Sequence, residues 1–414
     1  MPPSMKKIAL VVGFFVLIAA MGAAIYVVFF RPPSVRVLEE AVETPSPTSA
    51  GALPESGTGA PTPASGGEGT GAVPPARTLP GAKPVAEGGI TKTTALTSSR
   101  VTAATLSQDG KGMQYYDKTD GRFYRIGTDG SVERLSDEKF STVEQVTWAK
   151  DGVSAVLEFP DGSNVVYNFS AGKQVSLPRH WEDFYFAPDG EEILAKSIGV
   201  DPSNRALVIT KTDGTNTRAI AALGNNADKV IPSWSPNDQV VAFSDTGPTL
   251  SGFGRKMIIP IGKNEEQFKG VVVEGFDFKP LWNPQGNSLV YSAVGEINGY
   301  RPMLWVVNGR GESIGDRRRT LGIETWADKC TFSSGTNLYC AVPQELPANT
   351  GLQRQLAGSQ ADAIYRINID TGETELVAIP DIPQSIDSIQ VSSDGGTLFF
   401  TNAATGILET MRLK

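Results

Sequence analysis

Histidine is almost absent from this sequence. A single His180 in 414 residues excludes His-rich metal sites and leaves one side chain for imidazole acid–base chemistry. It precedes Trp181 in a polar link, and reads as a surface residue. Only two cysteines occur, too few for a thiolate cluster or a disulfide-rich scaffold. No G-x-S-x-G elbow, H-E-x-x-H helix or phosphate-cradling glycine loop is found, and no segment has the spacing of a D-x-[DN]-x-[DN]-G calcium loop. Basic runs are short, Arg317-Arg318-Arg319 being the longest. The net charge is −8, which argues against a nucleic-acid partner. These absences predict no catalytic residue, no cofactor, no metal site and no enzymatic activity. One chemistry stays open: a glycosidase whose two carboxylates lie far apart in the chain.

What is present begins with an uninterrupted apolar run over 8–30, preceded by Lys6 and Lys7 and ended by Arg31, Pro32 and Pro33. At about 1.5 Å rise per residue it is long enough to cross a bilayer. It is also longer than the usual apolar region of about 7–15 residues in a cleaved signal. The reading is an uncleaved signal anchor within 1–31, a single-pass membrane protein with a short cytoplasmic N-terminus and an exported C-terminal domain, periplasmic or extracellular. Residues 32–89 are rich in Pro, Gly, Ala, Ser and Thr. Such a segment buries too little apolar surface to offset its ordering entropy, so a disordered linker is expected.

From about residue 90 a pattern recurs: an aromatic or aliphatic residue, a tight polar turn, then an alternating apolar strand. Ser233-Trp234-Ser235-Pro236-Asn237-Asp238-Gln239-Val240-Val241-Ala242-Phe243 shows it best. Further copies start at Leu106, Trp148, Phe186, Trp282, Phe332 and Val391, a spacing of roughly 40–60 residues that suits propeller blades. Pro presets the first turn position, and Asp, Asn and Gly tolerate the left-handed conformation that follows. A second hairpin recurs at Asp129-Gly130, Asp213-Gly214 and Asp370-Thr371-Gly372, and two hairpins make a four-stranded blade. The copies resemble the TolB-like (WD40-like) β-propeller repeat, approximately W-S-P-D-G-x-x-I-A-F, over residues 90–414. The resemblance implies an all-β fold: a seven-bladed β-propeller of four-stranded antiparallel blades. It also implies a scaffold role in a cell envelope. The seventh repeat supplies three strands, and 90–97 is expected to supply its fourth and close the ring.

In a four-strand meander, alternate loops reach opposite faces. The links between second and third strands lengthen in blades 3–6, at 198–205, 245–255, 295–302 and 342–363, which crowds insertions onto one face. Loops on a rigid scaffold concentrate binding residues. Phe253, Arg255, Tyr300, Arg301, Leu352 and Arg354 are the candidates, since aromatic and Arg side chains dominate interface hot spots. Acidic residues recur near the starts of inner strands: Glu144, Asp183, Asp228, Asp277, Asp328 and Asp387. They predict an acidic channel mouth suited to a cation or a basic partner segment. Cys330 and Cys340 lie equally far from Gly335, the turn of the sixth inner hairpin. Opposed strand positions bring Cα atoms to about 4.5–5.5 Å, so a disulfide is expected, with a contribution of roughly 2–3 kcal/mol and an oxidising compartment. The function expected is a membrane-anchored scaffold that binds envelope proteins through the insertion-rich face of blades 3–6. The alternative is a propeller that binds a glycan, or cleaves cell-wall or surface polysaccharide with carboxylates. Most Trp residues sit in hairpin positions expected to be core, which favours the protein partner.

Overall fold

The computed structural model describes residues 81–252 and 254–414. They form seven β-sheets, each a blade of four antiparallel strands, one of which gains a fifth strand. The inner strands are Val101–Leu106, Gln145–Trp148, Trp181–Phe186, Val230–Pro232, Phe276–Trp282, Cys330–Phe332 and Ile386–Val391. Blade count, strand order and the turn-based repeat agree with the sequence pattern.

The repeat encodes its turn through short-range hydrogen bonds. In blade 4 the buried Ser235 hydroxyl donates to Asn237 Oδ1 at 2.7 Å and accepts from Val240 N at 2.9 Å. Asp238 N then closes onto Ser235 O at 2.9 Å, with Asp238 at φ 59°. Gly110, Gly152, Gly190, Gly286 and Gly395 hold the same left-handed position in other blades. At Gly286 the requirement is double: φ is +65°, and a Cβ would lie 2.7 Å from Asn237 N of the preceding blade. That approach lets Asn237 Nδ2 donate to Gly286 O at 2.8 Å, so turns of adjacent blades interlock.

Between blades the facing strand residues make the core. Val240, Phe243, Phe278, Trp282, Leu289 and Tyr291 fill the space between blades 4 and 5. Phe243 stacks on Trp282 with centroids 5.7 Å apart. Such apolar burial is the main favourable term in folding, at about 25 cal/mol per Å². Cys330 and Cys340 are direct register partners on adjacent strands of blade 6 and form the expected disulfide, with Cα atoms 4.1 Å apart.

Closure is more elaborate than expected. The segment 90–97 does not run as one strand. Thr94–Ala95 pairs antiparallel with Leu408–Arg412 and completes blade 7. Gly89–Thr91 instead pairs parallel with Thr374–Pro380, as the fifth strand of blade 6. Asp381, buried in the link between those blades, holds the corner: its Oδ1 accepts from Thr93 N and Thr93 Oγ1, at 2.9 and 2.8 Å. Upstream, Ala86 N donates to Arg412 O and Ala86 packs on the blade 7 core.

The expected single-pass membrane placement is corrected. Among the described residues no helix is long and apolar enough to cross a membrane. The run 8–30, on which the anchor was placed, lies outside the described residues, as does most of the 32–89 linker.

Candidate functional site

The inner strands start on the face where the insertions emerge, and local backbone irregularity shapes that rim. Register shifts interrupt the inner hairpins of blades 1, 3, 5 and 7. At the shifts Asp183 and Asp277 adopt φ 55° and 54°. Bulges of this kind re-aim side chains at the rims of barrels. Glu144, Asp183, Asp228, Asp277, Asp328 and Asp387 are all exposed at this rim.

The rim divides into two arcs. In blades 5 and 6 the rim carboxylates Asp277 and Asp328 are paired. Arg354, carried inward by the long insertion of blade 6, grips Asp328 with both terminal nitrogens at 2.5 and 2.9 Å. Its guanidinium lies 4.9 Å from the Trp326 ring centroid. Lys279 approaches Asp328 at 3.3 Å and Asp277 at 3.8 Å. Burial works to raise the Asp328 carboxyl, yet Arg354 and Lys279 hold it below the usual carboxylate range. Beneath this arc, buried Lys329 donates to both oxygens of buried Asp362 at 2.8 and 2.7 Å. Ile386 N donates to the same carboxylate at 2.6 Å. Burial pushes the ammonium down and the carboxyl up, and the short contacts oppose both shifts.

In blades 2–4 the balance is acidic. Glu158, at the end of the second strand of blade 2, has its carboxyl pushed up to about 7 by burial, then by Asp183, Glu182 and Glu144. One of its oxygens is buried without a hydrogen-bond partner among the described residues. Asp183 itself is paired with Lys196, at 2.6 Å. Sequence reasoning missed Glu158. Its signal was a charged residue closing the apolar run Ser154–Glu158 on the inner hairpin.

The insertions of blades 5 and 6 join into one platform. Asn349 N donates to Gly299 O and Gly351 N to Tyr300 O, both at 2.8 Å. Arg301 donates through Nε to Leu346 O, bridging the same two insertions. On this platform Ile297 is 79% exposed, Leu352 52% and Leu356 55%, and Phe276 at its edge is 39% exposed. Tyr300 lies beside Phe276, with ring centroids 6.5 Å apart. A depression of about 310 Å³ between Arg255, Glu274, Glu296 and Ile297 borders it.

The six loop candidates therefore divide. Tyr300 and Leu352 share the platform, Arg301 ties it together, and Arg354 belongs to the channel rim. Arg255 faces Glu274 at 3.7 Å, and Phe253 lies outside the described residues. Ile297 and Leu356 were missed, because isolated aliphatic residues in a loop carry no pattern. His180 is exposed in the link between blades 2 and 3.

No protein-family model and no curated protein matches this chain. The TolB-like assignment is therefore carried only as far as the fold. Among solved structures, an oligogalacturonate lyase in complex with manganese is similar at 15% identity and TM-score 0.54, over 78% of this chain and 93% of that one. An oligogalacturonate lyase from Vibrio parahaemolyticus is similar at 11% identity and TM-score 0.53, with the same coverage. The Swd1 β-propeller domain from Myceliophteria thermophila is similar at 11% identity and TM-score 0.51, over 78% of this chain and all of that domain. At these identities the likeness shows the shared propeller fold.

The two lyases correct one expectation. The chain was read as not an enzyme because no catalytic motif is present. The match covers 93% of each lyase chain, so a fold of this kind does not by itself exclude enzymatic activity. Among the described residues no group of three or more His, Cys, Asp or Glu side chains is placed to hold a metal ion.

Proposed function

We propose that this propeller docks a partner protein on the platform built by the insertions of blades 5 and 6. The observation that carries this reading is the exposure of Ile297, Leu352 and Leu356 on two insertions fixed to each other by backbone hydrogen bonds, with exposed Phe276 of the blade 5 inner strand at their edge. Exposed apolar clusters rimmed by polar residues mark interaction sites. Here Arg255, Glu274, Glu296 and the Arg301–Glu324 pair supply such a rim. Fixed insertions also lower the ordering cost of binding. The test is a cross-linking pull-down with the full-length protein and with an Ile297→Asp, Leu352→Asp variant. A specific protein retained by the wild type should be lost at least tenfold in the variant, roughly 1.4 kcal/mol of binding, with thermal stability unchanged. Equal retention of that protein by both forms, or retention of polysaccharide alone, overturns the reading.

A second reading, carboxylate-dependent glycan cleavage, is favoured by Glu158. A carboxyl pushed up to about 7 by burial and by its neighbours Asp183, Glu182 and Glu144 is the kind of group that general acid–base chemistry uses. The acidic arc and the net charge of −8 would repel a polyanionic chain. The substrate under this reading is a neutral glycan, unlike the oligogalacturonate of the similar lyases.

A further inference from the structure

The inner strands end at the opposite face, and there the channel widens into a cavity of about 340 Å³. Its wall is drawn from blades 2–6. Trp148, Tyr185, Trp234, Leu281, Trp282 and Phe332 are among the residues that line it. The indole N–H groups are already satisfied. Trp148 Nε1 donates to Ala103 O at 2.7 Å, Trp234 Nε1 to Asp238 Oδ1 at 2.7 Å, and Trp282 Nε1 to Ser233 Oγ at 3.1 Å. What these rings offer a ligand is therefore carbon surface. Tyr185 is 38% exposed, yet its hydroxyl is raised by burial. Protein surrounds the ring while solvent reaches it, so Tyr185 stands in the channel itself. It lines both this cavity and the acidic recess with Asp183, Lys196 and Asp228 on the other side.

Polar groups interrupt the apolar wall at intervals. Thr147, Tyr185 and Thr331 line the cavity, and among the described residues none of their hydroxyls has a protein hydrogen-bond partner. Lys150 stands at the edge, exposed and without an ion pair among the described residues. Small-ligand sites occupy roughly 300–1,000 Å³ and combine apolar walls with a few placed polar groups. A purely apolar ligand would leave the three hydroxyls unused. A strongly charged one would lose hydration against aromatic carbon. The ligand class that matches both features has apolar ring faces and hydroxyls at its edges.

We propose that this aromatic end of the channel is a binding site for a neutral saccharide, its pyranose faces lying against Tyr185, Trp148 and Phe332 and its hydroxyls meeting Thr147, Thr331 and Lys150. The site is on the face away from the docking platform and rests on neither reading above.

The test is titration of the full-length protein with maltohexaose, cellohexaose and chitohexaose, followed by tryptophan fluorescence. At least one oligosaccharide should give a saturable change. Tyr185→Ala should weaken it about tenfold and Thr331→Val about threefold, the size expected for one ring contact and one hydrogen bond. Val200→Asp, in the exposed blade 3 insertion on the other face, should bind as the wild type does. Thr331→Val removes a hydroxyl at nearly constant shape, so it decides the matter if Tyr185→Ala is destabilised. No saturable change with any of the three sugars up to millimolar concentration overturns the proposal. So does wild-type affinity in the folded variants, which would place the sugar elsewhere.

Discussion

The two faces of the propeller are built on different rules. On the turn face, Ser107, Ser235 and Ser392 each engage an Asp or Asn two residues on, and a backbone N–H five residues on. The same few bonds recur in blades 1, 4 and 7. On the insertion face the loops do not repeat: 3-10 turns such as Glu296–Asn298, Thr350–Leu352 and Arg354–Ala357 are held by bonds unique to each place. Repetition makes a face that the chain can close into a ring. Departure from repetition places charged and exposed apolar groups where a ligand can read them. On this view the insertion face should depend on a few strong local anchors, and the turn face on many equivalent weak ones.

The sharpest break in that contrast is at Lys329. It is buried beneath the rim and paired with buried Asp362, which also accepts from Ile386 N at the entrance to blade 7. Lys329→Met leaves the carboxylate without its cation. The expected loss is about 3–5 kcal/mol, the range for removing one partner of a buried pair. A Lys329→Met, Asp362→Leu double variant should recover part of that loss, because well-packed apolar replacements of buried pairs are often near neutral. Urea denaturation of both forms measures this. A loss below about 1 kcal/mol, the level of a surface ion pair, would mean that the insertion face is not anchored here.

The turn face should respond less. Ser235→Ala removes the acceptor for Val240 N and the donor to Asn237, at an expected cost of about 1–2 kcal/mol for the orphaned buried amide. Similar losses at Ser107 and Ser392 would support equivalence around the ring. A loss at Ser235 as large as that at Lys329 would erase the distinction between the faces.

The difference between the faces also explains what could be read from the chain alone. Turns such as Ser235-Pro236-Asn237-Asp238 have a local cause, so the blade count and the Cys330–Cys340 pairing followed from spacing. The strand over 90–97 was misjudged as continuous, because its division depends on Asp381, nearly 300 residues away. Asp328 and Arg354 were each singled out, one as rim acid and the other as loop contact. Their bidentate pairing was not foreseen, since the insertion that brings them together has no repeat to give its path. Glu158 escaped notice for a related reason: its environment is made by Glu144, Glu182 and Asp183, from its own blade and the next.

Glu158 is where the two arcs of the insertion face can be told apart by pH. Its carboxyl is pushed up to about 7 in the folded chain, from an ordinary value of 4.5, by burial and then by the charges of Asp183, Glu182 and Glu144. The folded state therefore binds this proton more tightly than the unfolded state does. Below about pH 4.5 both states hold it, and the group adds no pH dependence. Between 4.5 and 7 the unfolded state ionises first, so stability falls as pH rises, and the deficit is complete above 7. Glu158→Gln removes the ionisation while keeping the shape. The variant should lose this downward slope and be more stable than the wild type at pH 8, with little difference at pH 4.5. The paired arc should behave oppositely and at lower pH: Asp328 is held below its usual value of 3.8, so its contribution is full above that value and is lost only as pH falls below it. Thermal melts of wild type, Glu158→Gln and Asp328→Asn across about pH 2–8 compare the arcs directly. If the first two melt in parallel throughout, the carboxylates of blades 2–4 do not crowd Glu158, and the acid–base reading of that arc falls with them.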